Sequence, residues 1–182
     1  MCAVRDITLM RREGVAAASR EVRRCVRALR RISTAATNED AEDAWADFLY
    51  CAGKVYTKLR AACHGHPRDW GWFGKKLDER SRDQLLLYIH KARNCDTHRL
   101  DDITEHHSVG TRTVTLANLG QVHQSGPRLI VPLAVTDKHG TVYDVPVKHK
   151  DLAIQFADAG MIAFFASKYL QELVKEAASR LR

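Results

Sequence analysis

No apolar run in this chain approaches the roughly 20 residues that a membrane span needs, and candidates such as Met161–Phe165 are far too short. No basic stretch followed by an apolar run opens the sequence, so no secretory leader is visible. Cysteine is sparse and odd in number, with Cys2, Cys25, Cys51, Cys63 and Cys95 widely spaced. That pattern excludes a disulfide framework and leads us to expect reduced, partly buried thiols in a cytoplasmic protein. Cys63-His64-Gly65-His66 hints at metal, but no second ligand pair follows at a suitable spacing. No metal or other cofactor is therefore expected. Internal repeats and low-complexity tracts are also missing. Acid is in the minority: 22 Asp and Glu face 29 Lys and Arg, a formal charge of +7. A basic balance suits a polyanion such as RNA, and it also serves solubility. What is present argues for a folded chain. Apolar residues make up 45% of 182 positions, enough for one domain with a good core.

The apolar spacing is mostly helical. From Arg12 to about Ser33, Val15, Ala18, Val22, Cys25, Leu29 and Ile32 mark one face. The outer face carries Arg20, Arg23, Arg24, Arg27, Arg30 and Arg31 against Glu21 alone. Like charges at helical spacing repel by a few tenths of a kcal/mol each. The ridge is thus either a solvated face, an RNA phosphate track or a dock for an acidic partner. Thr37 and Asp40 form a capping box for a second helix, about Glu39 to Cys63, with Trp45, Phe48, Leu49, Val55 and Leu59 on one side. Gly53 inside it costs about 1 kcal/mol relative to Ala, which a close helix crossing would explain. His64–Gly74 reads as a loop, because Pro67 and three Gly interrupt the period. Its Trp70, Trp72 and Phe73 either plug the bundle or offer a base-stacking surface.

The period changes after Gly110. Arg112–Leu116, Arg128–Thr136 and Thr141–Val147 are β-branched or alternating, and Asp137–Gly140 is a turn signal. We expect a small antiparallel insert of two or three strands, about residues 110–148. Asp151 is the expected cap of a last helix over Leu152–Leu181. The fold class is then mainly α: a single-domain helical bundle, residues 1–182, with a β insert before the C-terminal helix.

The most informative stretch is Arg82–Arg99, RDQLLLYIHKARNCDTHR. Ser81 and Gln84 suggest a capping box, and Leu85, Tyr88, Ile89, Ala92 and Cys95 form an apolar stripe. His90, Arg93, Asn94 and Thr97 lie on the other side, and His98 follows at the helix end. Arg93 keeps its charge and offers a planar fork of donors to phosphate. His98 is of the type that titrates near neutrality and can move a proton. His106 and His107 follow in a polar stretch.

Arg93-Asn94-Cys95-Asp96-Thr97-His98 resembles the motif of the HEPN superfamily (higher eukaryote and prokaryote nucleotide-binding): Arg, four to six residues, His, at the end of a helix. The resemblance covers roughly residues 12–100 and the last helix. It implies a metal-independent endoribonuclease of toxin–antitoxin or phage-defence type. Arg93, His98 and Asn94 would be catalytic, and His90 and Asp96 would be auxiliary. It also implies a homodimer and a possible cognate antitoxin or partner protein. The alternative is a non-catalytic module of the same type that binds nucleic acid, a nucleotide or a partner protein. The usual compact version of that family lacks a β segment of this size.

Overall fold

The computed structural model describes the backbone of residues 4–98, 104–107, 112–116, 120–124, 129–154 and 158–181. Side chains are described for 9–95, 104, 130–154 and 158–181. Five helices dominate: α1 (Val4–Thr34), α2 (Asn38–Cys63), α3 (Pro67–Arg82), α4 (Gln84–His98) and α5 (Ala159–Arg180). Among the described residues, eight short strands lie between α4 and α5: β1 (Thr104–His107), β2 (Arg112–Leu116), β3 (Gly120–Gln124), β4 (Leu129–Pro132), β5 (Val135–Thr136), β6 (Val142–Tyr143), β7 (Lys148–His149) and β8 (Leu152–Ala153). The expected class, a mainly helical bundle with an antiparallel insert before the last helix, is the one observed.

α1 and α2 form an antiparallel hairpin. The Thr37 hydroxyl caps α2 by accepting from the Asp40 amide at 3.0 Å, as the capping box implies. The hairpin closes tightly at its far end: a Cβ on Gly14 would sit 2.7 Å from the Ala62 Cβ. Only a residue without a side chain fits there, so Gly14→Leu would separate the two helices. α2 supplies much of the core, with Trp45, Phe48, Leu49, Val55 and Leu59 almost wholly buried. Each large apolar side chain so buried contributes about 1.5–3 kcal/mol. α5 packs on α1 and α2, and α4 packs on α2 and α3.

Four boundaries differ from the sequence expectation. α1 begins at Val4, eight residues before the expected start at Arg12. The loop expected over His64–Gly74 is only His64–His66. Gly65 adopts φ +82° to end α2, and Pro67 opens α3. Proline at a first helical position loses no hydrogen bond, so Pro67 is a start signal and not a breaker. The motif helix is capped by Asp83, whose carboxylate accepts from the Leu86 amide at 3.0 Å. The Ser81 hydroxyl instead bonds the Asp78 carbonyl. The last helix begins at Ala159, capped by Asp158 on the Met161 amide at 2.8 Å. Leu152 and Ala153, expected in that helix, form β8.

The β segment is larger than expected and begins earlier, at Thr104. Among the described residues it forms four sheets, each two-stranded and antiparallel. β1 pairs with β4, Thr104 opposite Pro132. β2 pairs with β3, Val114 opposite Val122. β5 pairs with β6 and β7 with β8. Ile130, Val135 and Ile154 reach the helical core, so this segment is packed on the bundle.

Candidate functional site

The motif helix is tied down along its length by polar bonds to the β segment. At its start the Asp83 carboxylate accepts from His149 Nδ1 at 3.0 Å and from the Lys150 amide at 2.7 Å, besides capping the helix. Burial raises the Asp83 pKa, but these bonds outweigh it and hold the group below the usual carboxylate range. Further along, the Tyr88 hydroxyl donates to the Leu133 carbonyl at 2.8 Å. Lys91 Nζ donates to Asp137 Oδ2 at 2.9 Å, and Cys95 Sγ donates to the Thr136 carbonyl at 3.2 Å. Positions 88, 91 and 95 recur at helical spacing. One face of α4 therefore carries the strand segment, and its position relative to the motif is set.

Arg93 is half-buried and lies across α2. A Cβ on Gly53 would stand 3.3 Å from its Nε and 3.4 Å from its Cδ. This is the reason for a glycine in the middle of α2: it makes room for a side chain of the motif, not for the backbone of a crossing helix. Arg93 Nη1 also donates to Asn94 Oδ1 at 3.1 Å. Asn94 lines a cleft of about 510 Å³ between α4 and the β5–β6 turn, together with Lys91, Cys95, Thr136, Asp137, Lys138 and His139. That volume suits a small ligand or one nucleotide unit.

Asp96 and His98 belong to α4, but their side chains lie outside the described residues, as do those of His106 and His107 on β1. The helix position of His98 is informative. His98 ends α4 one turn, about 6 Å along the axis, beyond Asn94. His90 turns elsewhere. It lines a cavity of about 20 Å³ with Gly53, Tyr56 and Arg80, room for about one water. Burial, and then the nearby charges of Arg80, Lys91 and Arg93, push its pKa down to about 4. A neutral imidazole in so small a cavity is poorly placed to donate a proton to a substrate near pH 7.

All six arginines of the α1 ridge are exposed. Arg24 pairs with Glu21 at 3.0 Å, and Arg31 pairs with Asp47 of α2. Among the described residues, Arg20, Arg23, Arg27 and Arg30 have no carboxylate in ion-pair reach. Beside the ridge stands Tyr50 of α2, 45% exposed, with Lys54 Nζ 4.8 Å over its ring. Tyr50 precedes Gly53, on which Arg93 is seated, by three residues on the same helix. The sequence reading passed over Tyr50 because it lies off the apolar stripe. An aromatic followed four residues later by Lys was the available signal.

Other candidates resolve differently. Trp72 and Phe73 are buried and plug the bundle, whereas Trp70 is 43% exposed, with Arg60 at 5.8 Å. Cys25, Cys51 and Cys63 are buried. Burial raises all three thiols, Cys63 to about 11, which leaves them unreactive at neutral pH. Among the described residues no group of three His, Cys, Asp or Glu side chains could hold a metal ion. No helix among them is long and apolar enough to cross a membrane.

No family model, curated protein or solved structure matches the chain.

Proposed function

We propose that this protein is a metal-independent endoribonuclease that cleaves single-stranded RNA by transfer to the ribose 2′-OH. The observation that supports the reading is the setting of Arg93: its side chain is seated on Gly53, its guanidinium bonds Asn94, and Asn94 opens on a cleft beside α4. Arg93 would stabilise charge on the phosphoryl oxygens. His98 would take the 2′-OH proton, and Asn94 would orient the guanidinium. The products would be a 2′,3′-cyclic phosphate and a 5′-OH. The ridge and Tyr50 support RNA as the substrate, offering phosphate contacts and one stacking surface. The motif also resembles those of toxin and phage-defence ribonucleases. On that basis a cytoplasmic homodimer, restrained by an antitoxin or another partner protein, is the setting we propose.

The test is incubation of end-labelled single-stranded RNA with the protein in excess EDTA. Cleavage should persist and leave cyclic phosphate ends. Both His98→Ala and Arg93→Lys should be folded by circular dichroism and nearly inactive, because Lys keeps the charge but loses the fork. Full activity in Arg93→Lys would argue against a bidentate phosphate contact. A wild-type protein that binds RNA with salt-sensitive affinity but never cleaves it would favour the second reading, a non-catalytic binding module, which the exposed ridge also suits.

A further inference from the structure

We propose that His139, on the β5–β6 turn, is the second proton carrier of this site, and that the cleft between the turn and α4 holds the nucleotide on the 3′ side of the scissile phosphate. The proposal rests on the ribonuclease reading and deepens it.

Transfer to a 2′-OH needs a base on one side of the phosphorus and an acid on the other. One imidazole cannot occupy both positions at once. His90 is not suited to the second role, its pKa being pushed down to about 4 and its ring lining a cavity with room for about one water. His139 faces the cleft that Asn94 faces.

Its position is fixed by a set of polar bonds. Asp137 accepts from the His139 amide at 2.9 Å, from the Thr141 amide at 3.1 Å and from the Tyr143 hydroxyl at 2.9 Å. Gly140 closes the turn at φ +81°, where a side chain would be strained. The same Asp137 carboxylate accepts from Lys91 of the motif helix, and the Lys91 ammonium also stands 4.3 Å over the Tyr143 ring. One carboxylate thus shapes the turn and clamps it to α4. The tip it presents is Lys138-His139, both exposed, so core burial does not explain the pair. Beside Asn94, the two offer a cation for a phosphate and an imidazole for a leaving oxygen.

The proton inventory closes with no further reactant. His98 takes the proton from the 2′-OH as the 2′-oxygen bonds to phosphorus. The bond from phosphorus to the 5′-oxygen breaks, and His139 in its imidazolium form gives that oxygen a proton. Exchange with water then resets both rings.

The experiment compares two RNA oligonucleotides of one sequence. The first has the normal 5′-oxygen at the cut. The second has sulfur there, a leaving group that departs without a proton. His139→Gln should keep its thermal midpoint, because the side chain is exposed. It should lose at least about 100-fold on the oxygen substrate, the lower range for a general acid, and little on the sulfur substrate. His98→Ala should lose activity on both. Equal losses of His139→Gln on the two substrates, or no loss on either, would overturn the assignment while leaving the ribonuclease reading intact. Failure of the wild type to cleave either substrate would remove that reading, and this proposal with it.

Discussion

Gly53→Ala separates stability from chemistry at one position. Glycine inside an exposed helix costs about 0.8–1.0 kcal/mol relative to alanine, so the substitution should stabilise α2 by nearly that amount if nothing objects. The three atoms nearest the new methyl group are Nε, Cδ and Cγ of Arg93, at 3.3, 3.4 and 3.6 Å. These belong to a flexible side chain, which can withdraw by a few tenths of an ångström more cheaply than backbone could. The thermal midpoint should therefore rise by about 2–4 °C, the shift expected of about 1 kcal/mol in a domain of this size. The withdrawal moves the guanidinium off its seat and away from Asn94. A displacement of 1 Å can cost about 100-fold in rate, so a loss of roughly tenfold in RNA cleavage is expected for a smaller shift. Differential scanning fluorimetry and single-turnover cleavage on the same preparation measure both. A raised midpoint with unchanged cleavage would refute the argument that the seat on Gly53 sets the reacting geometry. A lowered midpoint would show that Arg93 cannot yield and that the contact is part of the packing.

Two further measurements test other parts of the site. The folded pKa of His90 is depressed to about 4 from an ordinary 6.5, so its contribution is whole above about pH 6.5. It is lost as pH falls toward 4, because the unfolded chain takes a proton that the folded one refuses; His90→Gln should therefore lose less of its thermal midpoint between pH 7.5 and pH 5 than the wild type, and an equal loss would show that burial does not hold this ring neutral. On the ridge, Arg23, Arg27 and Arg30 changed together to Gln should flatten the log–log salt dependence of single-stranded RNA binding by about two units, at about 0.7 per contact, whereas Arg24 and Arg31, already paired with Glu21 and Asp47, should contribute less; an unchanged slope would leave the ridge as a solvated or protein-docking face.

The helices were legible in the sequence because their signals are local. The stripe from Ala41 to Ala62 and the Thr37 cap needed only spacing and side-chain chemistry. The misplaced boundaries were local too, but ambiguous. Pro67 breaks one helix or begins another depending on which residue it follows. Asp83 and Ser81 are both good caps, and the choice fell to Asp83 because His149 and the Lys150 amide also reach it. The β segment was underread because runs of two residues, such as Val142–Tyr143, carry no period of their own. They become strands only by pairing.

The sequence by itself determined the class of fold, the helix that bears the motif and the chemical types available on it. Those follow from short-range rules: periodicity, capping and the fixed protonation habits of Arg and His. Tertiary structure decided which of those groups can act together. Gly53 and Arg93 are 40 residues apart, and so nearly are Cys95 and Thr136. Their meeting depends on the packing of α4 against α2 and against the β5–β6 hairpin. Packing alone turned His90 into a neutral ring beside a water-sized cavity, and it brought His139, which reads in the sequence as an ordinary turn residue, to the cleft beside Asn94. Side-chain type is carried in the chain, but desolvation and proximity come only from what the fold places beside it.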